Sequence, residues 1–196
     1  MVFRLKITLL GSKPPIWRRV RVPSTIRLAG LHRVIQAVMP WSDIHFHHFE
    51  RAGVCYGRQD PEHAGAVLLD EAEMPLAAML RQPRDWLDYT YDFADEWKHR
   101  IVLEASDADP AIRRPQCIAG RRACPPEEIG GLTGYEDALA ILAQPGHPDC
   151  AETRVRLARE SMHGTWDAEY FDPAEADAAL AHASGEEQRE ELASGV

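Results

Sequence analysis

No apolar run in this chain approaches the roughly 20 residues that a membrane-spanning helix requires. The opening Met1-Val2-Phe3-Arg4-Leu5-Lys6 alternates apolar and basic residues and lacks the unbroken apolar stretch of a secretory leader. Cysteine is scarce, with four in 196 residues (Cys55, Cys117, Cys124 and Cys150) and no Cys-x-x-Cys pair. A chain of this length builds its core without disulfide staples, so free thiols are expected. Two phosphate-binding signatures are also missing. There is no Gly-x-x-x-x-Gly-Lys-Ser/Thr loop and no Gly-x-Gly-x-x-Gly after a strand, which argues against a nucleotide cofactor. The expectation is a cytoplasmic protein with no membrane partner.

What is present is an ordinary globular composition, 45% hydrophobic and 27% charged. The net charge of −9 is unevenly spread. Through Arg58 there are ten basic residues against two acids, and the remainder holds 12 basic and 29 acidic residues. Such asymmetry marks either an anion-binding face on an acidic body or two regions that neutralise one another on packing.

Periodicity places the elements. Phe3, Leu5, Ile7 and Leu9 alternate with Arg4, Lys6 and Thr8, which predicts a strand over Val2 to Leu10. Gly11 to Pro15 is a turn, and Ile16 to Val22 returns as the second strand of a hairpin. Leu28, Leu31, Val34, Ile35 and Val38 form one apolar helical face, ended by Pro40. Ile44 to Arg51 reads as a strand, Val54 to Tyr56 as a short extended segment, and Gly57 to about Gly65 as a loop. Leu76 to Arg81 suits one or two helical turns. Leu87 to Leu103 reads as a hairpin turning at Ala94-Asp95-Glu96, which sets Phe93 opposite Trp97, Asp92 opposite Lys98 and Tyr91 opposite His99. Tyr89, Tyr91, Phe93, Trp97, His99, Ile101 and Leu103 then share an aromatic face. Ser106 to Leu132 is read as a long loop. Helices follow over Tyr135–Ala143, Pro148–His163 and Pro173–His182, with a disordered acidic tail over 184–196.

Separated motifs in this order resemble one family. They are Pro14-Pro15-Ile16-Trp17-Arg18-Arg19, Leu31-His32-x-x-Ile35-Gln36, His45-x-His47-x-Phe49 and Tyr91-Asp92-Phe93-x-Asp95-x-Trp97-x-His99-x-Ile101-x-Leu103-Glu104. Ala123-Cys124-Pro125-Pro126-Glu127-Glu128, Gly130-Gly131-x-x-Gly134-Tyr135 and Phe171-Asp172-Pro173 complete the set. Together they resemble the plasmid Ri open-reading-frame-three-like family, also labelled an insertion-element passenger protein. The resemblance implies an α+β fold over roughly residues 2 to 180 and names no reaction; no recombinase signature accompanies it. Two positions depart from the family pattern. Pro40 stands where glycine usually precedes the tryptophan, and Ala94 replaces the glycine of an Asp-Phe-Gly-Asp turn.

The chain is therefore expected to fold as one α+β domain over 1–183. It would be a mostly antiparallel sheet carrying one long N-terminal helix, with C-terminal helices wrapped around it. Three functional constellations stand out. Trp17, Arg18, Arg19 and Arg21 on a basic strand would contact nucleic acid or an acidic protein, arginines on phosphates and the indole on a base, in a non-catalytic binding module. His45 and His47, two apart on a strand, share a face and would hold zinc or manganese for a hydrolase. A third ligand would come from His99, Asp95, Glu127, Glu128 or Cys124, with Asp95, His99 or Glu127 as catalytic groups. The aromatic cleft around Tyr91, Trp97 and His99 would suit a small molecule. His99 within an apolar face equally suits a hydrogen-bonded core histidine.

Overall fold

A computed structural model describes residues 1–58, 68–109, 111–159 and 164–194, with the side chains of 184–194 excepted. The expected loop beyond Arg58 and the last four residues of the helix expected over Pro148–His163 lie outside these residues. In chain order the elements are β1 (Val2–Leu9), β2 (Trp17–Pro23), α1 (Leu28–Val38), β3 (His47–Arg51), β4 (Val54–Gly57) and β5 (Leu69–Asp70). There follow α2 (Leu76–Met79), β6 (Trp86–Tyr91), β7 (Trp97–Asp107), β8 (Gln116–Arg121), α3 (Gly131–Leu142), α4 (Cys150–Arg159) and α5 (Pro173–Ser194). The strands form one eight-stranded sheet in the order β5-β4-β3-β6-β7-β1-β2-β8. All neighbours are antiparallel except β4 and β5.

The α+β class stands, with a correction. The chain opens on a strand hairpin, and its first helix is only eleven residues long and begins at Leu28. Among the described residues there is no long N-terminal helix. The region expected as a loop from Ser106 contains the end of β7 and all of β8. The C-terminal helix does not stop before Ser184 but continues to Ser194, where a disordered tail is expected. It packs on β8 and α1.

Period-two burial in β1 and β2 sends Leu5, Ile7, Val20 and Val22 into the core and leaves Lys6, Thr8, Arg19 and Arg21 half-buried on the other face. The β6–β7 hairpin pairs Tyr91 with Trp97, Tyr89 with His99 and Asp88 with Arg100. That register is two residues from the expected one. An even slip preserves the faces, so Tyr89, Tyr91, Trp97, His99, Ile101 and Leu103 are all buried together. Phe93 is the exception, 49% exposed in the turn. The cause is a five-residue connection in which Asp92 and Glu96 take the left-handed conformation, φ 56° and 52°. Asp92 Oδ1 accepts the Ala94 and Asp95 amides at 2.9 and 3.3 Å. Ala94 avoids positive φ, so glycine is not required there. Lys98 pairs with Glu96 at 2.9 Å rather than with Asp92.

His99 is fully buried. Its Nδ1–H donates to the Trp97 carbonyl at 3.0 Å and its ring meets Trp41 edge-on at 5.4 Å. Burial pushes its pKa down to about 3. Arg18, 1% exposed, is the largest charged side chain among the fully buried residues. Its Nε donates to the Val38 carbonyl at 2.8 Å, and one terminal nitrogen donates to the Trp17 and Arg121 carbonyls at 3.0 and 3.1 Å. The guanidinium lies 4.1 Å from the centre of the Phe171 ring. Phe171 reaches this place because Gly120 has no side chain; a Cβ there would lie 2.4 Å from the ring.

Replacing Arg18 by alanine strands these carbonyls and opens a cavity, and should destabilise the fold by about 3 kcal/mol. Gly120→Ala should cost about 1–3 kcal/mol by displacing Phe171. Urea midpoints test both, and wild-type midpoints would refute the clamp. For His99 the folded pKa lies below the unfolded value of about 6.5. Its contribution is complete above that pH and is lost as pH falls towards about 3. Urea midpoints should therefore fall between about pH 7 and about pH 4. His99→Phe should flatten that slope, leaving the shares of His32 and His48, whose pKa values burial also lowers.

Candidate functional site

Two polar side chains interrupt the buried face of α1. His32 and Gln36, one turn apart, are 5% and 6% exposed beside Leu31 and Ile35. Gln36 Nε2 donates to the Tyr89 hydroxyl at 3.1 Å, and that hydroxyl lies 2.8 Å from His32 Nδ1. His32 Nε2 lies 2.8 Å from Asp43 Oδ1. An ionised carboxylate only accepts, so Nε2 carries the proton and Nδ1 accepts from Tyr89. The hydrogen bonds run one way, from Gln36 through Tyr89 and His32 to Asp43. The Asp43 amide closes the circuit by donating to Gln36 Oε1 at 3.2 Å.

His47, at the start of β3, stacks on His32 with ring centres 3.5 Å apart and planes 5° from parallel. Its Nε2 is hydrogen-bonded to Glu71 Oε2 at 2.8 Å, and Glu71 is 2% exposed. Two imidazole–carboxylate pairs thus lie face to face. Burial lowers the His32 pKa, the facing His47 adds to the shift, and Asp43 opposes it. Burial pushes the Asp43 carboxyl upward, but the hydrogen bond from His32 and the charges around it outweigh that and leave its pKa lowered. The group lines a cavity of about 880 Å³ together with Arg33, His45, Arg58 and Asp70. One donor atom each from His32, Asp43 and His47 lie within 4.8 Å of one another. The two histidines are nearly sealed, whereas the Asp43 side chain is half exposed.

The expected ligands are redistributed. His45 precedes β3 instead of lying on it, so it shares no strand face with His47. Its ring sits edge-on to Tyr91 and its Nε2 is 3.6 Å from Asp92. It lines the same cavity without joining the converging donors. His99 is remote from a ligand role because it is sealed in the core. Asp95 caps the Gly130 amide at 3.2 Å, and its carbonyl lies 2.6 Å from where a Gly131 Cβ would be. Glu127 accepts the Tyr91 hydroxyl at 2.5 Å and the Ser42 amide at 2.8 Å, while Trp41 Nε1 donates to the Pro125 carbonyl at 3.0 Å. Glu127 therefore braces the loop that carries Asp43. Glu128 takes a left-handed conformation in the same segment, φ 57°. Cys117 and Cys124 are free and buried, and burial raises their thiols to about 11 and about 12. Tyr91, Trp97 and His99 are each fully buried, so the expected aromatic cleft is closed.

Of the basic strand, Trp17, Arg19 and Arg21 do share one face, and Arg18 points into the core. Arg19 makes a two-pronged pair with Glu104 at 2.7 and 2.8 Å, and Arg21 reaches Asp109 at 2.6 Å. The Arg19 hydrogen bond holds the Glu104 carboxyl below its usual range despite partial burial. Trp17 lies between Lys6 and Arg19, 5.3 and 5.0 Å from the cations.

Sequence reasoning missed His32, Asp43 and Glu71. For His32 a signal existed: it and Gln36 are polar residues at apolar-face positions of a helix. Asp43 and Glu71 carry no local signal; a loop and a strand end bring them in.

The chain is similar to a solved protein and to a curated one. The crystal structure of MM3350, a protein of unknown function from Methanosarcina mazei Go1, matches with a TM-score of 0.76 and 34% identity, covering 88% of this chain and 96% of that one. The uncharacterized protein y4hQ of Sinorhizobium fredii is 37% identical over 152 residues, 78% of each chain. With the family's sequence profile matched over residues 1–175, the chain belongs to the plasmid pRiA4b ORF-3-like proteins.

Proposed function

We propose that this protein is a hydrolase that holds one divalent transition-metal ion, zinc being the best suited, at the floor of the cavity between His32, Asp43 and His47. The observation that carries the reading is the proximity of two imidazoles and a carboxylate, one donor atom of each within 4.8 Å, on the wall of a cavity large enough for a small molecule. One of the stacked rings would turn for both lone pairs to meet on an ion. Two nitrogens and one oxygen suit zinc, and three protein ligands leave a position for water, which the ion would acidify into a nucleophile. Glu71 accepts from one nitrogen of His47 and leaves Nδ1 for the ion, in the manner of outer carboxylates that orient ligating histidines. An ion on His32 Nε2 would move the ring proton to Nδ1 and reverse the bond with Tyr89. The basic strand face of Trp17, Arg19 and Arg21 supports a nucleic-acid or acidic-protein partner less well. Its arginines are already engaged by Glu104 and Asp109.

Calorimetric zinc titration of untagged, chelator-treated protein should show binding that His32→Ala and His47→Ala each weaken by about 100-fold or more. Glu71→Gln should weaken it roughly 10- to 100-fold. Zinc-loaded protein should hydrolyse members of a panel of phosphate and carboxylate esters, with His47→Ala at background. Titrations unaffected by His32→Ala and His47→Ala would overturn the ion site. Zinc binding at this site without turnover of any ester would overturn the hydrolase.

A further inference from the structure

The β3–β4 hairpin builds a second group of metal-type donors on the opposite face of the sheet. Its turn is the two-residue Ala52-Gly53, both with positive φ (52° and 79°), the mirror-image geometry that suits the twist of paired strands. This turn fixes the register, with Arg51 opposite Val54 and Glu50 opposite Cys55. His48 is two residues before Glu50 and so projects from the same face, while His47 and Phe49 are buried on the other. One donor atom each from His48, Glu50 and Cys55 lie within 4.8 Å of one another.

We propose that His48, Glu50 and Cys55 form a surface metal site, separate from the cavity, that takes a thiophilic divalent ion such as zinc. An imidazole nitrogen, a carboxylate oxygen and a sulfur suit zinc in type and number, with solvent in the fourth position. Zinc bonds of about 2.0–2.3 Å bring donors to roughly 3.5 Å apart, a closure that side-chain rotation supplies without moving the strands. Nothing competes for the donors: among the described residues, none of the three side chains makes a hydrogen bond or ion pair. Lys98, the cation acting on His48 from β7, two strands away, is paired with Glu96 at 2.9 Å. The Phe93 ring, 5.5 Å from that of His48, covers one side of the imidazole. Burial and the Glu50 charge keep the empty Cys55 thiol protonated, and a bound ion would release that proton.

Cobalt(II) gives this site a signature the cavity lacks, because thiolate ligation produces a near-ultraviolet charge-transfer band. Cys55 is the one cysteine of the chain that is not buried, and no cysteine lines the cavity. Titrating reduced, untagged full-length His32→Ala protein, whose cavity site is disabled, with cobalt should raise this band to saturation at one ion per chain, with proton release. Cys55→Ser should abolish the band, and His48→Ala and Glu50→Gln should each weaken binding by about tenfold or more. His32→Ala should leave the band intact, which separates this site from the cavity site. Circular dichroism of all four variants controls for folding, and His48→Ala reports even where Cys55→Ser perturbs the hairpin. Absence of the band in the wild type, its survival in Cys55→Ser, or equal affinity in His48→Ala and Glu50→Gln would overturn the proposal.

Discussion

A guanidinium buried without a carboxylate is the constraint around which this fold is organised. Arginine does not give up its proton, so the interior has to supply compensation in dipoles. The Val38 carbonyl, at the negative end of α1, answers Nε, and the Trp17 and Arg121 carbonyls answer a terminal nitrogen. Phe171 closes the remaining side with its ring face. One side chain on β2 therefore fixes the end of the helix, the edge strand β8 and the approach to α5. Holding α1 at its C-terminal end sets its rotation, and that rotation turns His32 and Gln36 towards Tyr89.

The cavity floor follows the same logic with neutral groups. A directional chain of hydrogen bonds satisfies every polar atom of Gln36, Tyr89 and His32 that enters the core. Burying these groups without such a chain would cost more than an apolar packing of the same volume. The stacked second imidazole, held by a carboxylate that is itself buried, is harder to explain by packing alone. Structural polar networks tend to be closed to solvent. This one opens on a cavity.

Much of the fold is legible along the chain because period-two and helical patterns are local properties. The β1–β2 hairpin, the apolar face of α1 and the aromatic face of β6–β7 follow from alternation alone. The hairpin register does not, because the Asp92 side chain builds a longer turn than the shortest one the sequence allows, and an even slip leaves no trace in the pattern. β8 escapes notice because Gly120 and Ala119 are small where a strand is normally apolar. The reason lies fifty residues away in Phe171. The candidate site is only partly legible for a related reason. His32 stands out as a polar residue within an apolar stripe, but Asp43 and Glu71 converge on it through tertiary structure. His45 and His47 look like a pair because the strand is expected to begin three residues too early.

The middle of the sheet joins parts of the chain that are made at very different times. β1 pairs with β7, so Leu5 lies beside Leu103 and Val2 beside Asp107. On a ribosome the β1–β2 hairpin emerges first and has no partner for its inner edge until half the chain has followed. During that interval Leu5, Ile7 and Val20 face solvent and an unpaired edge is open to other strands. A topology of such long-range pairings folds slowly for its size. The alternating Arg4, Lys6, Arg19 and Arg21 are already in place on this waiting hairpin, before Glu104 and Asp109 exist to neutralise them. Like charge keeps nascent copies apart. Only when the acidic remainder folds against this hairpin do Arg19 and Arg21 gain Glu104 and Asp109 as partners.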